Sequence, residues 1–391
     1  MLERAAAPRQ WRPWLAFTVM ISYFVMFGIS FGSQGVIWND LIQTLQISKG
    51  VFGTAQLASP LVSMILLTQA SAICAWAGTK RLTLAGGTLL VLAMLVLSQA
   101  ASLWGLVAAL LLAGGGFGLV EMAMNAATLD WERTTGRKVM NLMHAGFSGG
   151  AVLGALLGGA LLGIGWAYPA ILQLVAALWL LDVIVTLFVR FPDAERLHEG
   201  ETQSHALRLL LSRPVFVVLA ILCAISTLGE SIANTWSVIY FSELGASSLV
   251  GSAAFALFNG TMFIGRLANA TLVARLGERA SLTVSGVLTL IAGILLIAIP
   301  SISSAVVAFA FLGLAVAGAI PTALSAASQV APRQSAAITG AIMSAAYASF
   351  IVGPPLIGWV ADALALRTAL MLVVVMGIAG VLLARRVRLA Q

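Results

Sequence analysis

Two carboxylate–amide pairs carry the chemistry most visible in the sequence. Glu121 precedes Asn125 by four residues, and Glu230 precedes Asn234 by the same interval, so in a helix each pair shares one face a turn apart. Both pairs lie inside long apolar stretches, where an ionised carboxylate costs at least about 2.5–3.5 kcal/mol unless it meets a cavity or a partner. Such groups suit reversible protonation beside a polar solute; the alternative is a hydrogen bond between packed helices. Asp40, preceded by Asn39, lies nearer the end of its stretch and is either a third proton-binding carboxyl or a solvated helix end. His144 is able to pair with a carboxylate or to sit at an interface. Gln34, Asn141 and Asn259 are candidate contacts for solute hydroxyls, while Trp38 and Trp236 are candidate stacking faces or members of an interfacial aromatic belt. Asp182 has aliphatic neighbours apart from Trp179 and is expected to reach toward the aqueous interface.

Other chemistries find no support. No nucleophile, base or metal-ligating cluster recurs on one face, so no catalytic or metal site is expected. Cys74 and Cys223 lie far apart within apolar runs, giving neither a disulfide framework nor a CxxC site. The GGGFG string at 114–118 lacks the strand–turn–helix context and Lys-Ser/Thr ending of a phosphate loop, so no nucleotide cofactor is expected. Its glycines, with Gly150, Gly154 and Gly158, read as small-residue faces for close helix packing.

The elements that must position these groups follow from composition. Of 391 residues, 60% are hydrophobic and 9% charged, with mean hydropathy +1.02. Soluble domains carry roughly a quarter charged residues, so the solvent for this chain is a bilayer. The net charge of +7 is scattered over loops and reads as topology, not as a nucleic-acid surface. Spans are predicted near 14–38, 51–76, 82–100, 104–128, 140–164 and 168–190, then 214–241, 249–273, 281–300, 303–326, 337–361 and 366–385. The polar stretch 191–212 divides 1–190 from 213–391, giving an all-α membrane protein of twelve transmembrane helices in two six-helix halves. With the N-terminus cytoplasmic, 19 of the 21 Lys and Arg residues fall on one side, leaving Lys49 and Arg367 outside. The positive-inside rule then predicts both termini in the cytoplasm of a multi-pass protein of the bacterial inner membrane. No Lys or Arg is expected near the middle of a span, which favours a neutral or cationic solute.

The halves echo each other at an offset near 200 residues: Gly118 with Gly318, Arg133 with Arg333, Gly158 with Gly358. Six spans separate the copies, so they share one orientation, a parallel repeat with a site at its interface. The stretches EMAMNAATLDWER from Glu121, RKVMNLMHAGFSGGAVLGALLGG, LGESIANTW, SAASQVAP and FIVGPPLIGW resemble the YbjJ/MosC-like branch of the major facilitator superfamily. A weaker similarity is to the fucose permease group of sugar:proton symporters, carried by Asn39–Asp40, Glu121 and Asn125, with Asn141 a looser match. It implies proton coupling at the carboxylates and solute contact at the amides. The loop GTKRL lacks the acidic residue of the usual gating signature, and its copy has Asn269 where Asp is common.

The expectation is a proton-coupled carrier of a small polar, sugar-like solute, working by alternating access. The proton gradient is its energy source, with no cofactor. Glu121, Asp40 and Glu230 are the candidate coupling residues, and the chain is expected to act as a monomer in the lipid bilayer without nucleic acid. The alternative is a proton-coupled exporter of amphipathic or cationic compounds, whose mark is a wide, aromatic-lined cavity. Pro354 and Pro355 are expected to bend span eleven.

Overall fold

Peptide groups in hydrocarbon have no water to bind, so a chain this apolar must satisfy them within helices. A computed structural model describes residues 13–191, 208–331 and 334–387, apart from the side chains of Ser71, Asn141, Ser335, Ala336 and Ala337. Among the described residues all regular structure is helical. The elements are α1 (Pro13–Leu45), α2 (Lys49–Ala55), α3 (Ala58–Leu67), α4 (Ala70–Ala77), α5 (Thr79–Ser98), α6 (Leu103–Thr135), α7 (Met140–Gly163) and α8 (Tyr168–Phe188). After these come α9 (Pro214–Glu243), α10 (Ser248–Ala298), α11 (Ile302–Val330), α12 (Ser335–Ala363), α13 (Leu366–Ala369) and α14 (Met371–Ala384). Most of the expected linker 191–212 lies outside the described residues.

Among the described residues eleven helical segments are long and apolar enough to cross a membrane. One of them, α10, holds 51 residues and contains a non-helical Gly277 at φ 80°. The hydroxyl of Ser281 donates to Asn269 Oδ1 at 3.2 Å, although twelve residues of unbroken helix would hold them roughly 18 Å apart. The chain therefore folds back at Gly277, and its two arms make separate crossings. Gly78 has the matching backbone, φ 76°, 199 residues earlier. Serine caps recur at the same offset: Ser48 and Ser247 accept from Val51 and Val250, Ser102 and Ser301 from Gly105 and Ser304. The repeat read from glycines and arginines thus reappears in the backbone.

Span two departs from expectation. It is broken into α2, α3 and α4, where one continuous span over 51–76 was predicted. Pro60 cannot donate to the carbonyl of Gln56 and its ring crowds that turn, so the helix parts at Gln56–Leu57. Pro354 and Pro355 remain within α12, and Ser231 Oγ reaches the Phe350 carbonyl that Pro354 leaves unbonded, at 3.5 Å.

Glycines bring backbones together. A Cβ on Gly150 or Gly154 would meet the carbonyls of Val25 and Ile29 on α1, while one on Gly28 or Gly32 would meet those of Phe147 and Ala151 on α7. Gly114 lies on Ser59 of α3, and Gly116 on Gly86 and Leu90 of α5. The GGGFG string is therefore a two-sided packing face. Glu132 fastens α6 to α7, accepting from the backbone of Val139 and Met140 at 2.6 and 2.9 Å and from Lys138 at 3.2 Å.

The two ends of the bundle differ. Lys80, Arg81, Arg133, Arg137, Lys138, Arg213, Arg275, Arg279, Arg385 and Arg386 gather at the end marked by Gly136, while Lys49 and Arg367 stand at the other. At the Lys49 end α2 is clasped by the second half. Lys49 Nζ lies 2.7 Å from Glu243, the Gly50 amide donates to Asp362 Oδ2 at 2.9 Å, and Trp359 Nε1 donates to Thr54 at 3.0 Å. Gly53 sits on the backbone of Pro354, and Gly358 on that of Lys49. The hydrogen bonds and ion pair seen between described residues of 13–191 and 208–387 all belong to this clasp.

Two outcomes follow. Gly154→Val forces α1 from α7 and lowers stability by at least about 1–3 kcal/mol, read as a lower Tm of the purified protein. Gly149→Ala, which lies within α7 and whose new methyl meets nothing, leaves Tm unchanged or raises it slightly. Removing Asp362 and Lys49 together releases the clasp; a hydrogen bond to a charged group is worth about 1.5–3 kcal/mol and the one-third-exposed ion pair less than about 1. A cysteine replacing Thr235, in a chain without Cys74 and Cys223, should then be labelled from the Lys49 side at least about tenfold faster.

Candidate functional site

Between the halves lies a cavity of about 1280 Å3. Its closed apex is an aromatic plug in which Trp38 packs on Phe52 at 5.4 Å and Phe52 on Trp236 at 5.9 Å. Below the plug is a polar tier of the Gln34 and Asn234 amides and the Thr235 hydroxyl. Gln34 is 7% exposed and its Nε2 has no partner among the described residues. The breaks of span two turn Gln56 and Thr68 toward the same space, the position in which irregular backbone is tolerated inside a membrane.

The middle tier holds the charges. Glu121 on α6 and Glu230 on α9 both line the cavity, each roughly 20 Å from the nearer end of its helix at 1.5 Å per residue. The pairs are not related by the repeat: at an offset of 199, Glu121 corresponds to Ile320 and Glu230 to Phe31. Their helices run in opposite directions, so Asn125 lies a turn toward the Gly136 end and Asn234 a turn toward the plug. Tyr347 of α12 interacts electrostatically with both carboxylates. His144 lines the cavity, packs edge-on against Phe24 at 5.4 Å and feels the charge of Arg266.

Arg266 corrects the sequence reading. Counted there among loop cations, it projects into the cavity eleven residues before Gly277, and its Nη2 lies 3.8 Å from Glu230 Oε2. The expectation that no cation stands near the middle of a span fails, and with it the preference for neutral or cationic solutes. The signal was present in the sequence: Arg266 falls inside the apolar stretch 249–273, well before the glycine that ends the arm.

On the first half's side of the cavity, a turn from Glu121, stands an aromatic wall that sequence reasoning missed. Phe27 lies 4.6 Å from Phe117 and 5.5 Å from Phe147, and Phe31 lies 6.3 and 6.0 Å from the same rings. These phenylalanines sit on three helices and only the fold assembles them.

The remaining candidates fall away from the cavity. Asn39 and Asp40 are half-buried outside its lining, hydrogen-bonded side chain to side chain near the end of α1. Trp236 is fully buried behind Phe52 as part of the plug, neither a belt residue nor a free stacking face. Asn259 is buried and donates to the Phe255 carbonyl of its own helix at 3.0 Å. The side chain of Asn141 lies outside the described residues. Asp182 does not reach for the interface: it is half-buried, bonded to Ser22, beside the Tyr23–Thr186 contact of 3.2 Å. Asn269 bridges the arms of α10 and α11, donating to Thr322 at 3.1 Å and accepting from Ser281. Among the described residues no group of acidic, His and Cys side chains is arranged to hold a metal.

The sequence profile of the Major Facilitator Superfamily matches residues 19–348 and 219–390. An uncharacterised transporter of Sinorhizobium fredii is 28% identical over 90% of this chain and 92% of its own length. An uncharacterised MFS-type transporter of Yersinia pestis is 26% identical, with 78% and 79% covered, and membrane protein MosC of Rhizobium meliloti is 24% identical, with 77% and 72% covered. In fold the chain is similar to the nucleoside transporter NupG, at TM-score 0.81 and 14% identity over 95% of this chain and 98% of that one. It is also similar to the fucose:proton symporter FucP of E. coli, at TM-score 0.60 and 16% identity over 94% and 97%. With a family profile spanning nearly all of both halves, a wholly helical membrane fold and a solute-sized cavity between them, this chain belongs to the major facilitator superfamily, and it is a transporter of small solutes, not an enzyme.

Proposed function

We propose that the protein is a proton-coupled secondary transporter working by alternating access in the bacterial inner membrane. The observation that carries this reading is the presence of Glu121 and Glu230, one from each half, at mid-depth in one cavity. A proton on Glu121 neutralises its wall of the cavity and lets the loaded carrier switch, with Glu230 assisting from the facing half. Asp40, off the cavity, takes no part in this scheme. The halves 1–190 and 213–391 rock about the site, joined through 191–212. Both termini lie in the cytoplasm on the basic side, so the clasped Lys49 end faces outward. The protein works as a monomer in the bilayer and needs no cofactor beyond the proton gradient.

The solute is small and polar with an apolar face. Gln34, Asn125 and Asn234 offer amides to its oxygens, His144 stands at the entry and Trp38 roofs the site. A sugar-like ring satisfies these groups. The Phe27, Phe31, Phe117 and Phe147 wall favours a second reading, transport of amphipathic compounds, because four clustered rings exceed what a hydroxylated ring alone requires.

Proteoliposomes holding an interior pH dye test both readings. Added pools of sugars, polyols or amphipathic compounds should acidify the interior of wild-type vesicles, and Glu121→Gln should abolish the signal. A Glu121→Gln variant that couples as well as wild type removes Glu121 from the coupling step. Phe117→Ala should reduce the response to amphipathic compounds far more than to sugars; equal losses would discard the second reading.

A further inference from the structure

Within the transport reading, the charged tier carries more than a proton site. Arg266 and Glu230 face each other at 3.8 Å, close enough to hold charge balance yet beyond the roughly 2.7–2.9 Å of a charge-assisted hydrogen bond. The guanidinium donates no hydrogen bond among the described residues, and its side chain is 40% exposed, toward a cavity it helps to line. Its planar fork of donors matches a carboxylate better than any other common anion but phosphate. Gln34 lines the same cavity higher up; its side chain is 7% exposed and its buried Nε2 has no partner among the described residues. The phenylalanine wall lines the same cavity.

We propose that Arg266 receives a carboxylate of the transported solute, and that Glu230 occupies its place in the empty carrier. The solute is then a ring-bearing organic acid: its carboxylate on Arg266, its ring on Phe27, Phe31 and Phe117, and an oxygen at its far end accepting from Gln34. When the solute carboxylate takes Arg266, Glu230 loses its counter-ion and binds one proton from the water on the same side. The cavity holds the same net charge before and after, so one proton enters on Glu230 with each anion and no charge accumulates. A cation in this place would meet the like charge of the guanidinium at close range. A neutral solute would leave the ion pair as it is and draw nothing from it.

The groups around Glu230 leave this exchange to one pair. Arg266 faces it from α10 and Tyr347 from α12, with Glu121 and His144 across the cavity. α11 and α14 contain no titratable side chain, and α1 contributes Tyr23 on the lining and Asp40 off it.

The test is binding to the purified full-length chain, read as thermal stabilisation and as proton uptake with an indicator dye. The probes are para-hydroxyphenylacetate, its amide, and tyramine. The acid should stabilise the protein and the other two should not, and its affinity should rise as pH falls, by up to about tenfold per unit. Arg266→Gln should weaken it at least about tenfold. The Arg266→Gln, Glu230→Gln double variant, which leaves no unpaired charge, should show the same loss while melting as the ligand-free wild type does. Glu230→Gln alone should bind the acid with neither pH dependence nor proton uptake. The inference is overturned by stabilisation from the amide or tyramine equal to that from the acid, by no stabilisation from the acid, by wild-type affinity in the double variant, or by undiminished proton uptake in Glu230→Gln. Neutral solutes that move protons in a Glu121-dependent way would sink this inference and spare the transport reading. Carboxylate binding without proton-linked flux would do the reverse.

Discussion

An unpaired peptide group in hydrocarbon costs several kcal/mol, and the architecture follows from where this chain meets that cost. Helices satisfy the backbone wherever lipid surrounds it. The interruptions of span two, at Gln56–Leu57 and Thr68–Gln69, occur where the chain borders the cavity or the other half. Charge obeys the same rule. The carboxylates and the guanidinium within the bundle line the cavity, pair at helix ends or, like Asp182, take a hydroxyl partner.

Close packing and open space are divided between different surfaces of the same helices. α1 presses glycine against backbone on α7, and with its other face supplies Phe27, Phe31, Gln34 and Trp38 to the cavity. Rigid contact inside a half lets the rings and amides be held in fixed positions around an empty volume. The asymmetry of the site is equally physical: the repeat preserves caps and turns at 199 residues, but the carboxylates occupy unrelated positions. Duplicated scaffold thus bears an unduplicated centre.

Much of this was legible before any coordinates. Uninterrupted apolar length gave the spans, because hydropathy is a property of a segment and survives averaging. Glu121, Glu230, Asn125, Asn234, Gln34, Trp38 and His144 were singled out as polar groups in apolar surroundings, and they line the cavity. Arg266 was hidden by its neighbours, since one cation in a long apolar arm hardly changes the segment's average. Trp236 and Asn259 look like site residues in one dimension; their roles depend on Phe52 from the other half and on a carbonyl of the same helix. The fold-back at Gly277 was anticipated as a loop, and only the backbone shows that it is a single left-handed residue.

The clasp on α2 has a consequence for biosynthesis. The seven-residue α2 of the first half finds most of its seat on α12, and Gly50 and the carboxylate it donates to are 312 residues apart. At about 5–20 residues per second, a ribosome needs roughly 15–60 s to supply that partner. Through that interval the nascent first half holds α2 without its seat, with Gly50 and Gly53 facing a surface not yet made. The boundary at which the halves meet in space is therefore crossed by the chain that was translated first, and assembly of the carrier is complete only when its penultimate span arrives.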